Sequence, residues 1–188
     1  MNRIHRLKTG AAFAIIIATL ISCTGVPIPE PKDDKQAILL IPFEYIDDAP
    51  GTFFADYVIY AYRTDVASNL PFTIDVNAGS RFAVYRMLPP TTNAIRKIVQ
   101  IDKVSGDKIN SRKINTIDFE LEGGKINILP YTCEVRLVRS TIPGEGRKPV
   151  QKISFHAIND LKYKAIVEEL SARGVNPAQI VLGKNISD

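Results

Sequence analysis

Tryptophan is absent, and the 188 residues include only two cysteines, two histidines and two methionines. Two cysteines cannot build a disulfide framework. The histidines are His5 and His156. His5 lies in an N-terminal segment that reads as a removable export signal, which leaves one imidazole and rules out a two-histidine metal site. There is no glycine-rich phosphate loop ahead of a helix and no Gly-x-Ser-x-Gly elbow. A charge excess of one sign is missing too. Formal net charge is +4, but Arg3, Arg6 and Lys8 fall in the first 22 residues, which hold no acid, so the remainder nets about +1. That balance gives no footprint for nucleic acid.

The N-terminus is the most distinctive stretch. Arg3, Arg6 and Lys8 form a basic start, and Ala11 to Ile21 carries no charge. This is the layout of a signal peptide. A membrane-spanning helix needs about 20 apolar residues, more than this run supplies. Leu20-Ile21-Ser22-Cys23 closes the segment and resembles the lipobox of bacterial lipoproteins: leucine, a β-branched or small residue, a small residue, then cysteine. The resemblance implies cleavage after Ser22, with Leu20, Ile21 and Ser22 recognised by the lipoprotein signal peptidase. It also implies a diacylglyceryl group on the sulfur of Cys23 and acylation of the new amine. A retained span, or ordinary secretion with a free Cys23, are the competing readings. Thr24 stands where an aspartate favours inner-membrane retention in enteric-type envelopes, so the expected location is the outer membrane, on its periplasmic or surface face.

Thr24 to Gln36 holds Pro27, Pro29 and Pro31 with Lys32-Asp33-Asp34-Lys35, a tether of roughly 40 Å if extended at about 3.1 Å per residue. The expected organisation is a signal at 1–22, a lipidated cysteine and tether at 23–36, a β domain at 37–156, and a helix with its tail at 157–188. From Ala37 to Phe155, short runs of alternating hydrophobicity are separated by turn residues, the pattern of a sandwich or barrel. Ile114–Leu121 alternates most cleanly, with Ile117, Phe119 and Leu121 inward. Ala94–Asp102 puts Ile95, Val99 and Ile101 in register. Pro42 suggests that the first run is an edge strand or carries a bulge. The expected fold is mainly β: an antiparallel β-sandwich, immunoglobulin-like or prealbumin-like, with a C-terminal α-helix. That helix spans Ile158–Arg173, capped by Asn159 or Asp160 and ended by Gly174, with Ile158, Leu161, Ala165 and Leu170 as its apolar stripe. Asn176-Pro177 reads as a cap and first-turn proline opening a short final segment.

Residues that could carry chemistry are few. Asp33-Asp34, Asp47-Asp48 and Glu168-Glu169 are acid pairs, and Asp47-Asp48 sits in a turn string where carboxylates satisfy backbone groups. His156 and Asp160 are four apart, but no nucleophile accompanies them. Cys133 alternates with Tyr131, Val135 and Leu137 and reads as a small buried hydrophobe. The aromatic run Phe53, Phe54, Tyr57, Tyr60, Tyr62 has rings on both faces of a strand. Tyr57, Tyr60 and Tyr62 are therefore the candidate ligand-binding residues, for a glycan or peptide, against a core-packing alternative.

Val84–Pro90 and Phe119–Leu129 resemble turn-and-strand segments of small β-sandwich domains in envelope lipoproteins, although Thr91-Thr92 replaces the glycine of their proline turn. The resemblance implies a non-enzymatic domain that binds or scaffolds envelope components. No cofactor is expected beyond the lipid, and the expected partners are the membrane and an envelope protein or glycan.

Overall fold

Strand β1 (Ala37–Asp47) has its first seven residues buried without interruption. A strand wet on one face alternates; one covered on both faces does not. Leu39, Ile41 and Phe43 enter one apolar cluster, while Ile38 and Leu40 enter a second on the opposite face. β1 is the centre of the molecule. The computed structural model describes residues 28–48, 56–64, 71–76, 79–87, 91–101, 105–139 and 149–186. Leu20 to Cys23, Phe53, Phe54 and residues 140–148 lie outside them.

Along its first half, β1 pairs antiparallel with β4 (Phe82–Met87) and parallel with β7 (Ile126–Ile128). Its second half pairs parallel with β8 (Tyr131–Arg139), which pairs antiparallel with β9 (Pro149–Ala157). β7 and β8 follow one line along β1, broken at Leu129-Pro130, where the register offset moves from 88 to 90 residues. Pro42 lies opposite this break. It has no N–H to donate, so a central strand tolerates it only where the ladder is already interrupted. Pro42 marks neither an edge nor a bulge of β1: the strand keeps its register with β4 through Pro42, and the interruption lies in its partners, between β7 and β8.

The second sheet is antiparallel, in the order β11–β6–β5–β2–β3. Its strands are β2 (Asp56–Arg63), β3 (Pro71–Val76), β5 (Thr92–Ile101), β6 (Lys108–Glu120) and β11 (Lys184–Asn185). The protein is thus mainly β, with two sheets and one C-terminal helix. The expectation of antiparallel pairing throughout is corrected: β1 pairs parallel with β7 and β8, and β10 (Ile180–Leu182) pairs parallel with β7.

The two sheets share a core of Leu39, Ile41 and Phe43 from β1, Tyr57 and Ile59 from β2, Ile95 and Ile98 from β5, Ile117 and Phe119 from β6, and Cys133 and Val135 from β8. Ile117, Phe119 and Leu121 point inward as their alternation predicts. In β5 the inward pair is Ile95 and Ile98, because a register shift between Ile95 and Lys97 changes which residues face the core.

Helix α1 (Asp160–Ala172) covers the outer face of the first sheet, making a third layer. The Asn159 side chain caps it by accepting from the Lys162 amide at 2.8 Å. At its other end Gly174, at φ +89°, lets the Val175 and Gly174 amides return to the carbonyls of Leu170 and Ser171, a Schellman ending. The buried stripe is Ile166 and Leu170, with Tyr163 and Val167 beside them. The expected stripe is corrected here: Leu161 lies in the first turn and is 78% exposed, and Ala165 is exposed. Tyr163, Ile166, Val167 and Leu170 keep the i, i+3, i+4, i+7 spacing that turns one face inward.

After α1, a single 3₁₀ turn (Pro177–Gln179), capped by Asn176, leads into β10 on the first sheet. The chain then passes Gly183 to β11 on the second. The tail is therefore woven into both sheets.

Gly124 holds the turn before β7 at φ +70°, and its amide donates to the Gln36 carbonyl at 2.8 Å. A Cβ there would sit 2.8 Å from Asp34 Oδ1. Gly124→Ala is expected to lose about 1–2 kcal/mol through left-handed strain and this contact. In thermal melts, adding Asp34→Ala should recover the contact part only.

Candidate functional site

Two strand edges face each other where the sheets diverge. β6 pairs with β5 on one side and, on the other, meets β11 only at Phe119 and Glu120, with the Ile186 amide donating to the Asp118 carbonyl. Among the described residues nothing pairs with that edge from Lys108 to Ile117. Among the described residues β9 pairs with β8 alone, in unbroken register from Tyr131↔Ala157 to Arg139↔Pro149. Between the edges lies an open cleft of about 560 Å³, within the range usual for ligand sites, roughly 300–1,000 Å³.

Its walls differ. β6 is irregular here: Ile95 pairs with Ile117 and Lys97 with Lys113, so three residues of β6 stand opposite a single residue of β5. Such a bulge re-aims side chains, and Ile114 packs on the shared core while Arg112, Lys113, Asn115 and Thr116 are exposed. The β9 wall gives Ile153, Ser154 and Phe155. Tyr131 of β8 closes one end, its hydroxyl accepting from Asn185 Nδ2 at 2.8 Å. Among the described residues, the charged groups of the lining are Arg112 and Lys113.

The aromatic trio is divided by the structure. Tyr57 is 1% exposed in the shared core, and its hydroxyl accepts from Gln151 Nε2 at 2.7 Å. Burial first, then neighbouring Tyr45, pushes its pKa well above the ordinary phenol value. Tyr60 and Tyr62 point to the opposite face and are half-buried. Lys97 Nζ stands 5.2 Å from the Tyr60 ring centre and the Arg96 guanidinium 5.3 Å from that of Tyr62. These rings carry cations already, and Tyr57 cannot join them in contacting a ligand.

The acids are occupied in local structure. Asp33 Oδ1 accepts from the Lys35 amide, Asp48 pairs with Arg136 at 2.8 Å, and Glu169 pairs with Arg81 and Arg173. His156 lies by Ser154, at 2.9 Å, and Glu134, at 3.8 Å, not by Asp160. Both contacts use Nε2. A relay needs the serine on one ring nitrogen and the acid on the other, and Glu134 is held by Arg136. The three side chains, exposed His156 with half-buried Ser154 and Glu134, form a polar cluster that lacks this relay arrangement.

Cys133 is fully buried, and burial pushes its thiol up to about 12. Such a thiol is inert, as its alternation predicts. A second hollow of about 360 Å³ adjoins Asn127. That amide is consumed locally, accepting from the Glu122 amide at 2.7 Å and donating to the Glu122 and Lys125 carbonyls. Among the described residues no cluster of three potential metal ligands occurs, and no helix is long and apolar enough to cross a membrane.

The cleft residues Arg112, Lys113, Tyr131, Ser154 and Phe155 escape a sequence reading. Ser111-Arg112-Lys113 gives a weak basic signal on an alternating strand, and nothing in β9 announces that it faces β6. No protein-family model matches the chain and no curated protein matches it, so the argument for function rests on this geometry and on the N-terminal pattern.

Proposed function

We propose that the protein is a lipid-anchored bacterial envelope lipoprotein whose β domain is a non-enzymatic binding or scaffolding module. The single observation that carries the binding role is the cleft between the edges of β6 and β9, unpaired among the described residues, sized for a ligand and lined there by Arg112 and Lys113. The anchor rests on Leu20-Ile21-Ser22-Cys23, and the assigned place is the outer membrane, facing periplasm or surface. The finer fold reading, a β-sandwich of immunoglobulin-like or prealbumin-like type, is supported by the core that the two sheets share. β1's parallel partners are an elaboration on it.

Cys23→Ala is expected to move the protein from membrane to soluble fractions, and the intact mass of the natural product should begin at a cysteine bearing diacylglyceryl and acyl groups. An unlipidated mass sinks the anchor. For the binding role, a photo-crosslinking residue at Asn115, in the cleft, should capture a partner in living cells that the same residue at exposed Lys164 on α1 does not. Identical products from the two positions would remove the cleft from the reading. Glycan recognition by Tyr60 and Tyr62 is the weaker alternative, since a sugar would have to displace Lys97 and Arg96 from the rings.

A further inference from the structure

The chain joins the fold well before β1 begins. Ile28 is half-buried and packs on the cluster that holds Ile38, Leu40, Ile126 and the α1 residue Leu170. Pro29 and Pro31 are half-buried too. A turn follows, in which the Lys35 amide donates to Asp33 Oδ1 at 2.9 Å and the Gln36 amide to the Asp33 carbonyl at 3.1 Å. The Gln36 carbonyl then accepts from the Gly124 amide. Most of the stretch expected to act as a tether is therefore laid on the domain. Proline suits this, because its fixed φ leaves less chain entropy to lose on docking.

Between Cys23 and Ile28 a fully extended chain reaches at most about 18 Å. A domain of this size has a radius of gyration of about 15 Å and is roughly 40 Å across. The connection is shorter than the body it carries, and leaves it little room to turn over. The side held nearest the lipid is that of Ile28. It carries α1, the outer face of the first half of the first sheet, and the turn at Pro177–Gln179, where the Ala178 carbonyl accepts from Lys125 Nζ at 2.9 Å. The cleft lies elsewhere. Its residues Phe155 and Ile153 stand level, across β8, with Phe43 and Tyr45. Those are about 20–26 Å along β1 from Ala37, at about 3.3 Å per residue. Charge does not set the orientation, since Lys32 and Lys35 share their turn with Asp33 and Asp34.

We propose that the α1 side of the domain is a membrane-apposed surface, held against the lipid headgroups by the docking of Ile28, and that the cleft faces away from the anchoring bilayer. This rests on the reading of the protein as a lipoprotein lipidated at Cys23 and adds its orientation. The cleft's partner then arrives from beyond the membrane that holds the protein, not from within it.

The test uses the lipidated product, purified from its membranes and reconstituted in phosphatidylethanolamine–phosphatidylglycerol vesicles that carry a headgroup nitroxide. A fluorophore is attached at Ala178→Cys, on the α1 side, or at Asp75→Cys on β3, whose neighbours Ile74 and Val76 face the shared core. Both positions are exposed, and Cys133 is buried and stays unlabelled. Quenching should be at least roughly twofold stronger at position 178 than at position 75, as a reach of about 18 Å requires. Ile28→Asp frees the chain as far as Asp33, extends the reach to about 36 Å and should reduce the difference. A Gly/Ser insertion after Thr24, long enough to let the domain turn freely, should abolish it.

Equal quenching at the two positions, in protein that floats with the vesicles, would overturn the orientation and leave the anchor standing. Stronger quenching at position 75 would do the same. A difference that survives both Ile28→Asp and the insertion would show the domain holding lipid by its own surface, and would overturn the short connection as the cause. Protein that neither floats nor carries diacylglyceryl would end this proposal and the lipoprotein reading together.

Discussion

Phe119→Ala is expected to lower the unfolding free energy by about 3–5 kcal/mol, the usual loss for a buried phenylalanine. Phe119 is 0% exposed and belongs to the cluster shared by both sheets. Its strand joins them a second way: it pairs with Asn93 of β5 and with Asn185 of β11, whose side chain reaches Tyr131 in the first sheet. The empty volume would therefore open between layers rather than within one. Against a total stability of typically 5–15 kcal/mol, such a loss leaves a marginal fold. Urea titration followed by far-ultraviolet dichroism measures it. Ser111→Ala, exposed on the same strand, should stay within about 0.5 kcal/mol. A Phe119→Ala loss below about 1 kcal/mol would contradict a core common to the two sheets.

The second large effect is alkaline. Burial raises the Cys133 thiol from 9.0 to about 12. Below pH 9 folded and unfolded chains both hold this proton, and its contribution to stability is constant. Above that the unfolded chain releases it while the folded chain keeps it until about pH 12, so stability falls as pH rises through this window. The slope is about 1.4 kcal/mol per pH unit for one proton. Tyr57, raised by burial and by Tyr45, adds a second loss that begins near the phenol's ordinary value of 10.0, and Tyr45, raised by burial and by Asp47, reinforces it. Urea midpoints of wild type should therefore begin to fall near pH 9, and those of Cys133→Ala about one unit later. Parallel curves for the two proteins would mean that Cys133 ionises in the native state.

Much of the β architecture was legible because it is written in period two. Ile117, Phe119 and Leu121 point inward as their spacing requires, and Cys133 and Val135 do the same on β8. The centrality of β1 was misread from Pro42, yet a better signal stood beside it. Ala37 to Ile41 is an unbroken apolar run, which marks a strand covered on both faces. Parallel partners were not legible, since they are 88 to 90 residues away and no local pattern encodes them. The helix existed as expected, but its inward stripe depended on how the chain enters from Asn159. Binding residues were the least legible. Tyr57, Tyr60 and Tyr62 are aromatic in a row, but alternation sends the first into the core. The cleft gathers residues 112–117 with 153–155 only through tertiary packing.

β1 also governs when the molecule can assemble. It is the first strand among the described residues, yet its two edges wait for β4 on one side and for β7 and β8 on the other, and the chain crosses between the sheets a last time where Gly183 carries it from β10 to β11. Contacts this distant in sequence make for slow folding. A nascent polypeptide lacking residues 180–186 would hold β7 paired on one side only and leave Phe119 and Glu120 of β6 without their outer partners, so the last strands to be made close an edge on each sheet.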